Sequence, residues 1–149
     1  MTRFVILRVV AKVIIPFIML FALYVQFHGD YGPGGGFQAG VLFAVGWFLH
    51  SLVFGVDDAK AVFTPRLVRI LAASGVLLYA GVGVASMFAG GNYLDYGAFD
   101  PEHRAHGEHI GILLVEVGVG MTVAAVMVGL FYLFSGTADP QDTDGQQDD

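Results

Sequence analysis

Charge is missing, but for one Glu, from four long stretches of this chain, and that limits its fold more than any other feature. No Asp, Glu, Lys or Arg occurs in residues 13–27, 31–56 or 70–94, and residues 110–138 hold a single one, Glu116. A helix needs about 20 mostly apolar residues to cross a bilayer. Three of the runs meet that length unaided, and the first meets it when Lys12 lies inside the helix end. Charged residues make up 13 % of the chain, against roughly 25 % in an ordinary soluble domain. The pattern predicts an all-α integral membrane protein with four transmembrane helices, over residues 4–27, 37–56, 66–88 and 109–134. Residues 1–136 form this membrane domain. Residues 137–149 are acidic, too poor in apolar side chains to fold alone, and are expected to be disordered.

Arg3, Arg8 and Lys12 precede the first apolar run, as they would in a signal peptide. Pro16 and bulky residues fill that run, and no small-x-small cleavage site precedes His28. The first span is therefore expected to be retained, with Pro16 kinking it or removing one backbone hydrogen bond. In a four-span chain Arg3, Arg8, Lys12, Lys60, Arg66 and Arg69 fall on one side and only Arg104 on the other. Basic residues concentrate on the cytoplasmic side. Both termini are thus expected inside, with the 28–36 and 89–108 loops outside. The chain carries no basic patch for a nucleic acid.

Between the first two spans lies HGDYGPGGGFQAG, residues 28–40, in which six of thirteen residues are glycine. Glycine reaches backbone conformations closed to other residues, whereas Pro33 fixes its own φ. One pinned residue before the three free ones, Gly34, Gly35 and Gly36, points to a shaped loop. Two readings stay open: a tight turn between membrane helices, or a loop packed into a larger assembly or an ion path. Gly36, Gly40 and Ala44 fall four apart, which keeps one helix face smooth for a neighbouring helix.

Residues 57–65 read as a short loop, closed by Thr64 and Pro65 as N-cap and first helical position. Gly75, Gly81, Gly83, Ala85 and Ser86 give the third span a helix-packing composition. The longest loop, residues 89–108, carries Tyr93 and Tyr96, residue types suited to a membrane interface.

Glu116 is the sharpest single residue. It would lie about seven residues into the fourth span, roughly 10 Å along it. A carboxylate at that depth is costly unless paired, protonated or wet. It reads either as a structural carboxylate bonded to a neighbouring subunit or as a proton or cation relay. Gly120 leaves room one turn further on the same face, and His109 lies two turns back. Lys12 shares a face with Arg8. It either snorkels to the headgroups or pairs with a partner's carboxylate. His50, near the end of the second span, reads as an interfacial, hydrogen-bonded residue.

His103, His106 and His109 are spaced by three, and three histidines can bind zinc. Pro101 and Gly107 should interrupt a helix there, and no fourth ligand is evident, so no metal is assigned. His28 and His109 would both lie outside, where paired histidines could hold haem. No cofactor is assigned on that basis. Without cysteine there is no disulfide, thiolate zinc site, cysteine-ligated iron–sulfur cluster or covalently attached haem. The glycine loop lacks the GK[ST] of a phosphate loop. Neither a Ser-His-Asp arrangement nor HExxH is present, so no catalytic residue is assigned.

The stretch around PGGGFQAG, with the histidine-glycine before it, closely resembles the MnhB/MrpB family, the B subunits of multisubunit Mrp-type Na+/H+ antiporters. A second match is H-x-G-I-x-L-V-E-x-G-V, which reads HIGILLVEVGV here, residues 109–119. The resemblance covers nearly the whole chain except the acidic tail. It implies a non-enzymatic, multi-pass subunit in a prokaryotic plasma membrane. Its partners would be the other antiporter subunits and the lipid bilayer, and the transported ions Na+ and H+. It also admits a structural subunit of a related membrane-bound hydrogenase or complex I-like assembly. The functional positions it implies are Pro33 and Phe37, shaped by Gly34, Gly35 and Gly36, then Glu116. Lys12, His28 and His109 complete the candidate set.

Overall fold

Residues 2–29, 32–100 and 102–136 are described by a computed structural model. The acidic tail, 137–149, lies outside these residues. The elements are α1 (Thr2–Phe27), α2 (Gly36–Phe54), α3 (Val56–Val62), α4 (Pro65–Phe88), a 3₁₀ turn (Tyr96–Phe99) and α5 (Arg104–Gly136). Among the described residues, four helices, α1, α2, α4 and α5, are long and apolar enough to cross a membrane. They coincide with the four expected spans to within two residues, except at the start of α5.

That helix begins five residues early, at Arg104 rather than 109. Gly107 was expected to break a helix and instead lies buried inside one. A Cβ at Gly107 would stand 2.8 Å from the Tyr96 carbonyl oxygen and 3.0 Å from the Asp100 nitrogen. The glycine therefore serves the approach of the 3₁₀ turn onto α5. Asp100 Oδ1 accepts a hydrogen bond from the His103 N–H at 3.0 Å, just ahead of the helix. At 33 residues α5 is about 50 Å long, against a hydrocarbon core of about 30 Å. Its polar first turns therefore project beyond the apolar region.

The second correction concerns residues 57–65, where a short helix replaces the expected loop. Gly55, with φ 115°, turns the chain out of α2. Asp57 and Asp58 then occupy the first turn of α3, where the positive end of the helix dipole favours them. Ala59 is fully buried against Ala44, Val68, Ala125, Val128 and Tyr132. Thr64 and Pro65 act as expected: Thr64 Oγ1 accepts from the Leu67 N–H at 3.2 Å, and Pro65 opens α4.

α5 is the centre of the bundle. It packs along α4 and α2, while α1 lies on α2 and touches α5 only lightly. Close approach depends on missing side chains. A Cβ on Gly75 of α4 would strike Thr122 Oγ1 and the Gly118 carbonyl. Gly83 and Ser86 are buried too, whereas Gly81 and Ala85 face outward. The smooth face of α2 meets α5, with Gly40 against the Gly120 carbonyl and Val123, and Ala44 fully buried. Trp47 Nε1 donates to Tyr132 Oη at 2.9 Å, and Phe48 stacks on Phe131 at 4.9 Å.

Candidate functional site at the glycine loop

α2 and α5 run in the same direction, and their shared register decides where Glu116 falls. Gly36 meets Glu116, Gly40 meets Gly120, and Trp47 meets Tyr132. Glu116 is twelve residues from the start of α5, roughly 18 Å along it, yet it stands level with the first residue of α2. It is half-buried, and this partial enclosure comes from the loop above it.

Two loop glycines form that enclosure. A Cβ on Gly29 would stand 2.5 and 2.6 Å from the Glu116 carboxylate oxygens, and one on Gly35 would stand 3.0 Å from Oε1. Gly35 also has φ 126°, a backbone state that side chains resist. It is the N-cap residue of α2 and offers no side-chain cap. The carboxylate thus sits beside the positive end of the α2 dipole, an electrostatically favourable place for an anion. Gly36 is tighter still, because a Cβ there would overlap the Glu116 backbone carbonyl. Gly34 turns back onto α1, where a Cβ would stand 3.2 Å from the Val25 carbonyl oxygen.

The remaining candidates divide by position. Pro33 is exposed at the crest of the loop. His28 stacks on Tyr24 with ring centroids 5.0 Å apart, and its ring lies beside Gly32. Phe37 is 63 % exposed. His109 is an exposed residue of α5 seven positions before Glu116. Lys12 lies at the other end of the bundle, where its Nζ sits 6.0 Å from the Phe54 ring centroid. The loop glycines and Glu116 therefore form one site, and Lys12 and Phe37 are not in it. His50 stacks on Trp47 at 5.1 Å and has a buried Nδ1 with no hydrogen-bond partner, unlike the bonded histidine expected. Among the described residues no three His, Asp or Glu side chains are grouped to hold a metal ion.

One contributor was not anticipated. Gln26 of α1 is buried, 8 % exposed, and its Oε1 lies against Gly120, one turn below Glu116. The available signal was a lone amide in the otherwise apolar end of the first span.

Fold and site together define a multi-pass membrane protein with a carboxylate seated beneath a glycine loop. A family model described as "Domain related to MnhB subunit of Na+/H+ antiporter" matches residues 6–129, and the chain belongs to that family. It is 30 % identical over 138 residues to a Staphylococcus haemolyticus protein named as antiporter subunit mnhB2, covering 89 % of this chain and 94 % of that one. A Staphylococcus aureus (strain Newman) protein of the same name is 31 % identical over 134 residues, with the same coverage.

Proposed function

We propose that this chain is a non-enzymatic integral subunit of a multisubunit Na+/H+ antiporter in a prokaryotic plasma membrane. In this reading its partners are the other antiporter subunits, and the assembly exchanges Na+ for H+. Family membership and the names of the staphylococcal relatives support the antiporter assignment. The observation that carries the role of the site is the Glu116 carboxylate lodged against Gly29 and Gly35 at the start of α2. An ionisable group in a membrane span is a functional candidate by default. Glu116 acts as the titrating step of a proton or cation route, and the loop of Pro33, Gly34, Gly35 and Gly36 holds it in place. Phe37, exposed beside the loop, contacts a neighbouring subunit. His28 and His109 stand at the outer approach to Glu116. Lys12 steadies the opposite end. Both termini face the cytoplasm.

The test is complementation. Everted vesicles from cells lacking this chain should lose Na+-driven proton movement and regain it when the chain is supplied. The other subunits should copurify with it. Full antiport without the chain would refute the reading.

A further inference from the structure

Below the glycine loop, α1, α2 and α5, together with Phe63 and Leu71, line an open-sided slot of about 320 Å³. Ala22, Leu23, Phe43, Met121 and Ala124 supply hydrocarbon walls, and Gln26 is the one polar side chain on its lining. The Gln26 side chain is more than nine-tenths buried, and its Nε2 has no hydrogen-bond partner. A buried amide N–H without an acceptor is costly, so the site is short of one acceptor atom.

Three properties narrow what supplies it. Water needs two to four polar partners, and apolar cavities stay dry; this wall offers one amide. A helix is about 10–12 Å across, whereas a cube of this volume is only about 7 Å on edge. An apolar cavity of about 150 Å³ already accepts benzene, so the slot has room for a longer hydrocarbon. Finally, Gln26 is the penultimate residue of α1, at a helix end, where the bilayer passes from hydrocarbon to polar groups.

We propose that this slot holds one acyl chain of a membrane phospholipid, with Gln26 Nε2 donating to the ester carbonyl of that chain. The hydrocarbon lies along Ala22, Phe43, Met121 and Ala124, and the carbonyl supplies the missing acceptor. This inference is independent of the part assigned to Glu116.

The test uses the assembled complex in vesicles of phosphatidylethanolamine and phosphatidylglycerol. These are doped with a phospholipid carrying a photoreactive diazirine on one acyl chain. After irradiation, modified peptides are mapped by mass spectrometry. Adducts should concentrate on residues 22–27 and 117–125 rather than on exposed faces such as that of Phe17. Ala124→Phe, which fills the slot, should remove most of them while labelling at Phe17 persists. Ala124→Val, a milder filling, should give an intermediate loss and serves if the Phe variant does not assemble. Gln26→Leu should lower slot labelling about two- to tenfold, the worth of one hydrogen bond. An ether-linked probe, which lacks the carbonyl, should label the unaltered chain as weakly as the ester probe labels Gln26→Leu. Slot labelling no denser than on exposed faces would overturn the proposal. Labelling indifferent to slot filling, or equal with ester and ether probes, would do the same. So would a photoreactive residue at position 124 that crosslinks to a neighbouring subunit in place of lipid.

Discussion

Gly36 packs directly on the backbone carbonyl of Glu116, so the first turn of α2 and the middle of α5 meet with no side chain between them. The contact joins residues 80 positions apart and places the glycine loop over the carboxylate. A methyl group at Gly36 has no flexible neighbour to displace, since what it meets is backbone. Gly36→Ala should therefore cost at least the upper part of the about 1–3 kcal/mol seen for overpacking. Gly35→Ala adds a strained φ to a close Glu116 Oε1. Both variants should lower the midpoint of thermal unfolding in detergent and the amount of assembled complex. Gly55→Ala is the contrasting case, because it shares the positive φ but meets nothing within 4 Å. A loss at Gly55 equal to that at Gly36 would show that the backbone contact is unimportant.

At the other end of the α2–α5 pair, Tyr132→Phe removes the acceptor for Trp47 Nε1. The indole N–H is then left unpaired among Ala44, Ala59 and Phe63. A loss of about 1 kcal/mol is expected, the scale of one hydrogen bond between membrane helices. Thermal unfolding in detergent should shift, with antiport and its pH profile unchanged in whatever complex assembles.

How much of this was legible in the sequence depended on how local each feature is. Thr64 and Pro65 could be read directly, because an N-cap acts within one turn. The four spans could be read because a bilayer dictates their length. α3 was missed because its support is Ala59 buried among residues of α2, α4 and α5, which no local pattern records. Gly107 was misread as a helix breaker because its partner, the Tyr96 turn, lies outside its own helix. The glycine loop and Glu116 each stood out, but their contact is tertiary and so was not visible. Gln26 was not legible for the same reason: its importance comes from Gly120 and the cavity beside it.

The cap that the 3₁₀ turn (Tyr96–Phe99) forms on α5 offers a pH test. Burial pushes the Tyr96 phenol above its ordinary pKa of 10.0, with Tyr79 and Tyr93 adding to the effect. The folded cap thus keeps a proton that the unfolded chain releases. Its contribution is fully present below pH 10.0 and is lost as pH rises through the raised value. Subtracting the tyrosinate titration of Tyr96→Phe from that of the unaltered chain should leave a tyrosine that ionises above pH 10.0. The variant's cap should be less sensitive to alkali than that of the unaltered chain.

Orientation is open to cysteine labelling on intact cells. Glu102→Cys should react with an impermeant reagent from outside, and Asp58→Cys only after permeabilisation. Both positions are exposed, whereas the adjoining Ala59 is buried and would be silent in either orientation. The reverse pattern would place the termini outside and contradict the bias of Arg8, Lys12, Lys60, Arg66 and Arg69.

The most direct measurement is Na+-driven proton movement in everted vesicles carrying Glu116→Gln, with a blot for the assembled complex. Glutamine keeps the size and much of the hydrogen bonding beneath Gly29 and Gly35 but cannot titrate. The account predicts normal assembly with antiport lost or shifted in its pH dependence. Normal assembly with an unchanged pH profile would contradict it, and so would loss of assembly and activity together.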